Sequence, residues 1–354
     1  MYKWVETLIA ACFYYSGLVK LARWWRRRSR QSLVILCYHR ATGGDLRRHL
    51  LYLRRHYRVL HLETALEDLY TRHKNGEHRK ERRTPLVLTF DDGNHDNYTY
   101  GFKLACELQV PLTIFLIPGY IESGSRFWWL ESNHLVSHTL VREATIEGRT
   151  YHLDKLDERK ELVRAIDARV YNATSVTERE AFLASVRKVL AEPSRQNVEE
   201  EEQATSPLAW TEVQEMERSG WISFGAHTMH HTILAYLTDP TEVQYEVTEC
   251  RKVLERQLGH PVRTFAYPVG QLEHIGEQGR CAVREAGYNW AVSAIYGFNT
   301  PQTDPYHLRR VVVDVDQHWL RVAVKAAGVW GLFSQLSRIP VTLIRKYLRR
   351  NKQR

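Results

Sequence analysis

The chain has 354 residues and is short of cysteine and methionine, with five and three respectively. Cys12, Cys37, Cys106, Cys250 and Cys281 form no C-x-x-C pair, and their number is odd. That argues against a disulfide framework and against a cysteine-based zinc site, and it fits a reducing compartment. The sequence also lacks, near its start, an unbroken apolar run of the ~20 residues that a membrane span needs; the run there extends only from Leu8 to Tyr15. No A-x-A-like cleavage site precedes the first arginines, and most of the positive charge follows the apolar run, the reverse of a secretory signal. Acidic residues are nearly absent from both ends. Residues 1–44 carry eight Lys/Arg against Glu6 alone, and residues 317–354 carry nine against none. The net charge of +9 therefore hides a body that is net negative by 7.

An acidic body with two basic, aromatic-rich ends suits an anionic membrane surface better than a nucleic acid, whose enzymes carry positive charge on the working face. On one continuous helix, Trp4, Leu8, Cys12, Tyr15, Val19 and Ala22 share a side, and Trp24–Trp25 would sit at headgroup level. The expectation is that residues 1–32 form an amphipathic membrane-associating segment in the membrane plane, held on the cytoplasmic side by the arginines after it. A buried first helix of the domain is the alternative. Residues 317–354 repeat the pattern as a basic amphipathic C-terminal segment, kinked at Pro340.

Between the ends, residues 33–39 (LVILCYH), 85–90 (PLVLTF) and 111–117 (PLTIFLI) read as buried strands, with helix periodicity at 45–70 and 97–109. This β-α-β alternation predicts an α/β fold with a parallel sheet. Residues 131–207 are charged and helix-patterned and are read as a helical insertion, because strand–helix alternation resumes after Trp210.

Three clusters carry chemistry. Thr89-Phe90-Asp91-Asp92-Gly93 puts adjacent carboxylates at a strand end, which is costly unless their charge is used. His227 and His231, in Gly225-Ala226-His227-Thr228-Met229-His230-His231, stand four apart, so that one helical turn would aim both at one point. Two imidazoles and a carboxylate make a facial set for a divalent metal, and His230 points elsewhere under that geometry. Phe265-Ala266-Tyr267-Pro268-Val269-Gly270 is a strand end running into a Pro/Gly turn, where backbone N–H groups can face a ligand.

The order T-F-D-D-G, H-T-x-x-H, F-x-x-P-x-G resembles the polysaccharide deacetylase family, carbohydrate esterase family four, over residues 33–313. The resemblance implies a distorted (β/α) barrel, often of seven strands, and a metal-dependent hydrolase that removes N- or O-acetyl groups from sugars. On this sequence the barrel spans 33–316, with the helical insertion at about 131–207 and the amphipathic segments on either side. Carried over by motif, Asp91 is the general base and activates the attacking water, while Asp92, His227 and His231 hold a divalent metal, zinc by preference. Such an ion polarises the acetyl carbonyl and acidifies water. A backbone N–H near Val269 would help to hold the oxyanion, with Tyr267 and Pro268 beside it as substrate contacts.

Two departures stand out. The arginine that commonly contacts the base from the third motif is replaced by Ala266, with Arg263 three residues earlier. The late Leu-x-His that supplies a general acid is missing, since His307 precedes Leu308. Tyr38-His39 looks like the early Tyr-His segment of the rearranged branch that includes poly-N-acetylglucosamine deacetylases, which makes His39 the candidate acid, ahead of His307. Phe127-Trp128-Trp129 also resembles that branch, and Trp128 and Trp129 are candidates for stacking on sugar. The expected protein is a deacetylase of an N-acetyl amino-sugar glycan, lipid-linked and reached at an anionic membrane surface, with no nucleic-acid partner. An O-acetyl esterase, or a retired deacetylase serving as a membrane-bound glycan-binding subunit, are the alternatives.

Overall fold

The computed structural model describes residues 3–29, 32–74, 83–191 and 203–331. Among them run ten strands: β1 (Val34–Tyr38), β2 (Arg58–Leu60), β3 (Pro85–Phe90), β4 (Leu112–Leu116), β5 (Glu143–Ile146), β6 (Arg149–His152), β7 (Ile222–Ala226), β8 (Thr264–Ala266), β9 (Trp290–Tyr296) and β10 (Leu308–Val312). β1, β3 and β4 are buried along their whole length. Such strands belong in a parallel sheet covered on both faces.

Seven strands close a parallel barrel in the order β1, β10, β9, β8, β7, β4, β3, with β3 returning to β1 over Leu86–Phe90. β2 and β4 divide the other edge of β3: β2 pairs with Pro85–Val87 and β4 with Thr89–Phe90. The distorted seven-strand barrel expected from the motifs is the one observed.

The barrel interior is layered. Ile35, Val87, Phe115, Val292 and Leu308 form an apolar layer, closed by Leu62, Ala65 and Leu66 of the helix Leu62–Lys74. Arg263, just before β8, pairs at this end with Glu63 and Glu67. It is therefore remote from the chemistry, which lies where the strands finish. Two residues further along the same inward faces come Cys37, Thr89 and Arg310, and the interior turns polar.

Residues 128–189, between β4 and β7, build a second core around Phe127, Leu135, Leu162, Ile166 and Leu183. The region is not wholly helical. The helix Trp128–His138 begins before residue 131, and β5 and β6 form an antiparallel hairpin ahead of the helices Leu156–Tyr171 and Val176–Val189. Glu147 and Gly148, both at positive φ, make its two-residue turn. The alternation Ala144/Ile146 inward is the sequence signal for that hairpin. The acidic run Glu199–Glu202 lies outside the described residues.

The N-terminal segment is two helices, Lys3–Tyr15 and Leu18–Ser29, bent by 63° about Gly17 (φ 84°). No single described helix is long and apolar enough to cross a membrane. The break corrects the expected single stripe. Ala10 and Val19 bury against Leu320, Val324 and Ala327 of the helix Trp319–Ala327, whereas Trp4, Leu8 and Tyr15 are exposed, by 64%, 56% and 75%. The buried-helix alternative thus holds for one face, while another face is open. Tyr14 packs edge-on against Trp319 at 5.1 Å, Arg26 reaches the Ala327 carbonyl at 3.3 Å and stacks on Phe298, and Glu6 pairs with Arg321. Residues 332–354, most of the basic C-terminal segment, lie outside the described residues.

Val19 is the test of this anchoring. Val19→Asp buries an unpaired charge at a cost of several kcal/mol. It should free Lys3–Ser29 from the barrel, so that trypsin cuts at Arg26–Arg28 at least tenfold faster while the barrel's melting transition remains. Unchanged cleavage would mean that the helices are not held by this contact.

Candidate active site

The strand ends deliver the carboxylates. Asp91 follows β3 directly, and its N–H donates to the Tyr38 carbonyl at 2.9 Å, locking the ends of β3 and β1 together. Asp92 and Gly93 then both take left-handed φ, 74° and 69°. At Gly93 a Cβ would come within 2.7 Å of Leu116, so glycine is required there for space as well as for conformation.

Asp91 is almost fully buried and meets Arg310 face to face. Nη1 donates to Oδ1 at 2.6 Å and Nη2 to Oδ2 at 2.7 Å. Arg310 also donates from Nε to the Ser293 carbonyl at 2.8 Å and from Nη1 to Thr89 Oγ1 at 3.2 Å. The Cys37 thiol donates to Asp91 Oδ2 at 3.4 Å. Burial pushes the Asp91 carboxyl up, but the Arg310 guanidinium and then His227 outweigh it and hold it well below the usual range. Burial above all keeps Cys37 a protonated thiol. Arg310 is the arginine that the third motif lacks, supplied by another strand. The alternation of β10, with Leu308 buried, Arg309 exposed and Arg310 buried, turns its side chain into the barrel. The sequence signal was available: two arginines in an otherwise apolar strand, of which one must face inward.

Asp92, His227 and His231 offer one ligand atom each within 4.8 Å of one another, all buried. Both imidazole Nε2 atoms lie 3.6 Å from Asp92 Oδ1. That is too long for a hydrogen bond and about the spacing kept by two ligands of one tetrahedral ion. His227 Nδ1 donates to the Ala266 carbonyl at 2.7 Å, which leaves the Nε2 lone pair for a metal. Burial, and then His227, push His231 down to about 3, so it is neutral as a ligand must be. Its Nδ1 has no hydrogen-bond partner. The residues fit a divalent metal.

The four-residue spacing works for a reason other than a helical turn. Residues 227–232 form an irregular loop in which Thr228 and His231 take left-handed φ, 62° and 53°. Glu246, fully buried on the helix Pro240–Leu258, holds this loop by accepting from His230 N at 2.9 Å and from Thr232 Oγ1 at 3.0 Å, and it bonds the His230 ring at 2.6 Å. His230 is thus a structural link, as its offset implied. Glu246 gave no signal in the sequence.

His39 is exposed in the same cavity, with its ring nitrogen, Cys37 Sγ and an Asp91 oxygen all within 4.8 Å of one another. Its carbonyl accepts from Asn94 and Asn97 at 3.2 Å each. The loop after it is tied down by buried Asp96, which accepts at one oxygen from Arg40, Ala41, Thr42 N and Thr42 Oγ1. His307 precedes β10 and does not line the cavity, so the late histidine is not brought to the site.

The cavity holds about 850 Å³. Tyr267 and Val269 line it, but Tyr267 spends its hydroxyl on the Tyr306 carbonyl at 3.1 Å, and Pro268 is buried without lining the cavity. Trp128 and Trp129 line it as well, yet their rings are engaged. Trp128 Nε1 donates to the His231 carbonyl at 3.2 Å, while Trp129 stacks on Phe127 at 4.7 Å and contacts the His231 ring at 4.3 Å. Both tryptophans brace the metal loop more than they offer a free sugar platform. The helix Leu156–Tyr171 adds Asp167 and Tyr171 to the wall, and Asn172 follows it.

Residues 186–291 match the polysaccharide deacetylase family. The matched span holds His227, His231 and Tyr267–Gly270; the Asp91–Asp92 pair lies before it. Among solved structures the chain is similar to IcaB from Ammonifex degensii, at 20% identity and TM-score 0.54, covering 84% of this chain and 97% of that one. It is similar to the Streptococcus pyogenes deacetylase PplD at 16% identity and TM-score 0.53, covering 83% and 98%. It is also similar to a de-N-acetylase from Aggregatibacter actinomycetemcomitans at 13% identity and TM-score 0.52, covering 83% and 99%. These likenesses show the fold. No curated protein matches the chain. The family match and the deacetylase barrel bear out the resemblance read from the motifs and support a glycan deacetylase enzyme.

The electrostatics of the Asp91–Arg310 pair and of His231 lead to two measurable outcomes. Arg310→Lys keeps the charge and loses the fork, forfeiting about 1.5–3 kcal/mol of charge-assisted bonding, so turnover should fall roughly 10–10²-fold with metal content unchanged. Wild-type turnover in that variant would remove Arg310 from the site's function. His231, neutral when folded down to about pH 3, takes up a proton near 6.5 when unfolded. Stability of the metal-free protein should therefore be fully present above 6.5 and fall with pH toward 3. Denaturant titrations across that window should have a shallower slope in His231→Gln; an identical slope would contradict the buried neutral ring.

Proposed function

We propose that this chain is a zinc-dependent amide hydrolase that removes the N-acetyl group from an amino sugar of a membrane-associated, lipid-linked glycan. The observation that carries the reading is one cavity floor on which an ionised, bidentately held carboxylate, Asp91, adjoins the Asp92/His227/His231 set. Asp92, His227 and His231 would hold the ion, and the two-imidazole, one-carboxylate set favours Zn²⁺. Bound there, it supplies a Lewis acid for the acetyl carbonyl and lowers the pKa of water.

The chain's own residues divide the remaining work. Asp91, fixed by Arg310 and Cys37, takes the proton of the attacking water. His39, whose ring nitrogen lies within 4.8 Å of an Asp91 oxygen, donates a proton to the sugar nitrogen as the C–N bond breaks, so that acetate and a free amine leave. The Val269 turn, at φ 58°, lies on the cavity wall where a backbone N–H can meet the developing oxyanion. The retired-subunit alternative rested on a missing arginine and a missing late Leu-x-His; Arg310 removes the first motive, and the second is met here by His39 in the acid role.

The membrane part of the reading draws on the exposed Trp4, Leu8, Tyr15, Leu21, Trp24 and Trp25 beside Arg27 and Arg28. Aromatic and basic side chains together suit a headgroup layer, and the arginines favour the cytoplasmic leaflet.

The test is acetate release from short soluble and lipid-linked N-acetyl amino sugars. A chelator should abolish it and Zn²⁺ restore it. Asp91→Asn should lower turnover ~10²–10⁴-fold, and His39→Ala should lower it too, both without loss of metal. Release that survives metal stripping would end the metal-dependent reading, and release from O-acetyl sugars alone would make the protein an esterase.

A further inference from the structure

The N-terminal helix pair leaves a basic pocket on the barrel's flank, away from the catalytic cavity. About 590 Å³ in volume, it lies at the last turn of the helix Leu46–His56. One side is apolar and aromatic: Tyr14, Leu51, Tyr52 and Trp319. The other is basic: Arg48, Arg54, Arg55 and His56. Arg48 is committed to Asp45 at 3.2 Å. From the second N-terminal helix, Arg23 approaches the Tyr52 ring at 5.9 Å.

The polar atoms here are donors in search of an acceptor. Among the described residues, the buried Arg23 Nε and Nη1 and the buried Tyr52 hydroxyl find no hydrogen-bond partner. The local field is positive. Burial, and then Arg23, Arg55 and Arg27, push the His56 imidazole down to about 4. Arg54 and Arg55 stand exposed on the pocket's basic side, where two guanidinium groups can give charge-assisted bonds to an anion supplied from outside.

We propose that this pocket is a phosphate-binding seat that takes the headgroup of an anionic phospholipid, with Arg54 and Arg55 of its lining as its principal donors and Arg23, beside the Tyr52 ring, adding positive charge. The inference rests on the membrane reading above and gives that docking a specific point of contact. A lipid is favoured over free phosphate by the surroundings. The same two helices expose Tyr15, Leu18, Leu21, Trp24 and Trp25, and the pocket's own aromatic side offers a seat for glycerol and acyl carbons that a soluble anion would not use. A guanidinium fork matches phosphate oxygens in a way that diffuse surface charge does not.

The experiment compares co-sedimentation of the full chain with phosphatidylcholine vesicles doped with phosphatidic acid, or with a carboxylate amphiphile at equal surface charge. The wild type should prefer the phosphatidic acid vesicles about tenfold, and Arg54→Gln/Arg55→Gln should lose that preference while keeping wild-type turnover on a soluble substrate. Should the double variant fold poorly, Arg55→Gln alone, at an exposed helix end, carries the same comparison. Equal binding to the two vesicle types by the wild type, or an undiminished preference in the variants, overturns the proposal. A melting scan with inorganic phosphate separates the sources. If phosphate alone stabilises the wild type and not the variant while no vesicle is bound, the lipid is overturned as occupant and the membrane reading falls with it. If Leu21→Ser/Trp25→Ser weakens binding to both vesicle types equally but keeps the phosphate preference, apolar insertion and headgroup recognition are separate and the seat stands.

Discussion

Asp91 and Arg310 meet inside a parallel barrel, where neither charge has water to fall back on. Removing one partner of such a pair costs about 3–5 kcal/mol, because the other is left buried and unpaired. The rest of the interior is arranged around this fact. Thr89 donates to the Leu36 carbonyl and accepts from Arg310, Ser293 offers a carbonyl to its Nε, and Cys37 fills the remaining side of the carboxylate with a weak donor. Beneath them the barrel is apolar and closed by a helix, so that solvent reaches Asp91 only from the cavity side. The pair fixes the orientation of the carboxylate and keeps it ionised, which are what a general base beside a metal set requires.

The cavity lip stores strain that the barrel stabilises. Asp92, Thr228, His231 and Val269 all take left-handed φ without being glycine, at ~1–3 kcal/mol each. Two are metal-set residues and one is the candidate oxyanion turn, so the unusual backbone falls where side chains and N–H groups must converge from different strands. The compensation is visible: Glu246 bonds three groups of the 227–232 loop, Trp128 takes the His231 carbonyl, and Asp96 gathers the loop after His39. None of these supports belongs to the proposed chemistry, and each holds a residue assigned to it.

Two additions modify the barrel. The insertion between β4 and β7 has its own apolar core and lends the cavity a wall of Asp167, Tyr171 and Asn172, so the part of the chain least like a barrel borders the substrate. The N-terminal helices are anchored by Ala10, Val19, Tyr14 and Arg26, yet they turn a second, aromatic face outward. Packing and exposure are compatible there because Gly17 divides one amphipathic stripe into two helices with different bearings.

The sequence by itself determined the strands β1, β3 and β4, since runs of β-branched and apolar residues have nowhere to go but a covered sheet. It also marked Asp92, His227 and His231 as candidates for a metal set, since adjacent carboxylates at a strand end and imidazoles four apart are each a local pattern. It could not say how the set is assembled: His227 and His231 converge through left-handed backbone and not through a helical turn, a choice made by Glu246 from a distant helix. Nor could it identify Arg310, which lies 219 residues from Asp91 and reads as one of two adjacent basic residues until the seating of β10 in the barrel decides which faces inward. The roles of Trp128 and Trp129 were undecidable for the same reason, because a ring's free face depends on what packs against it. Local pattern sets which chemical groups are present; only the closure of the barrel, by bringing β10 against β1 and β1 against β3, sets which of them meet.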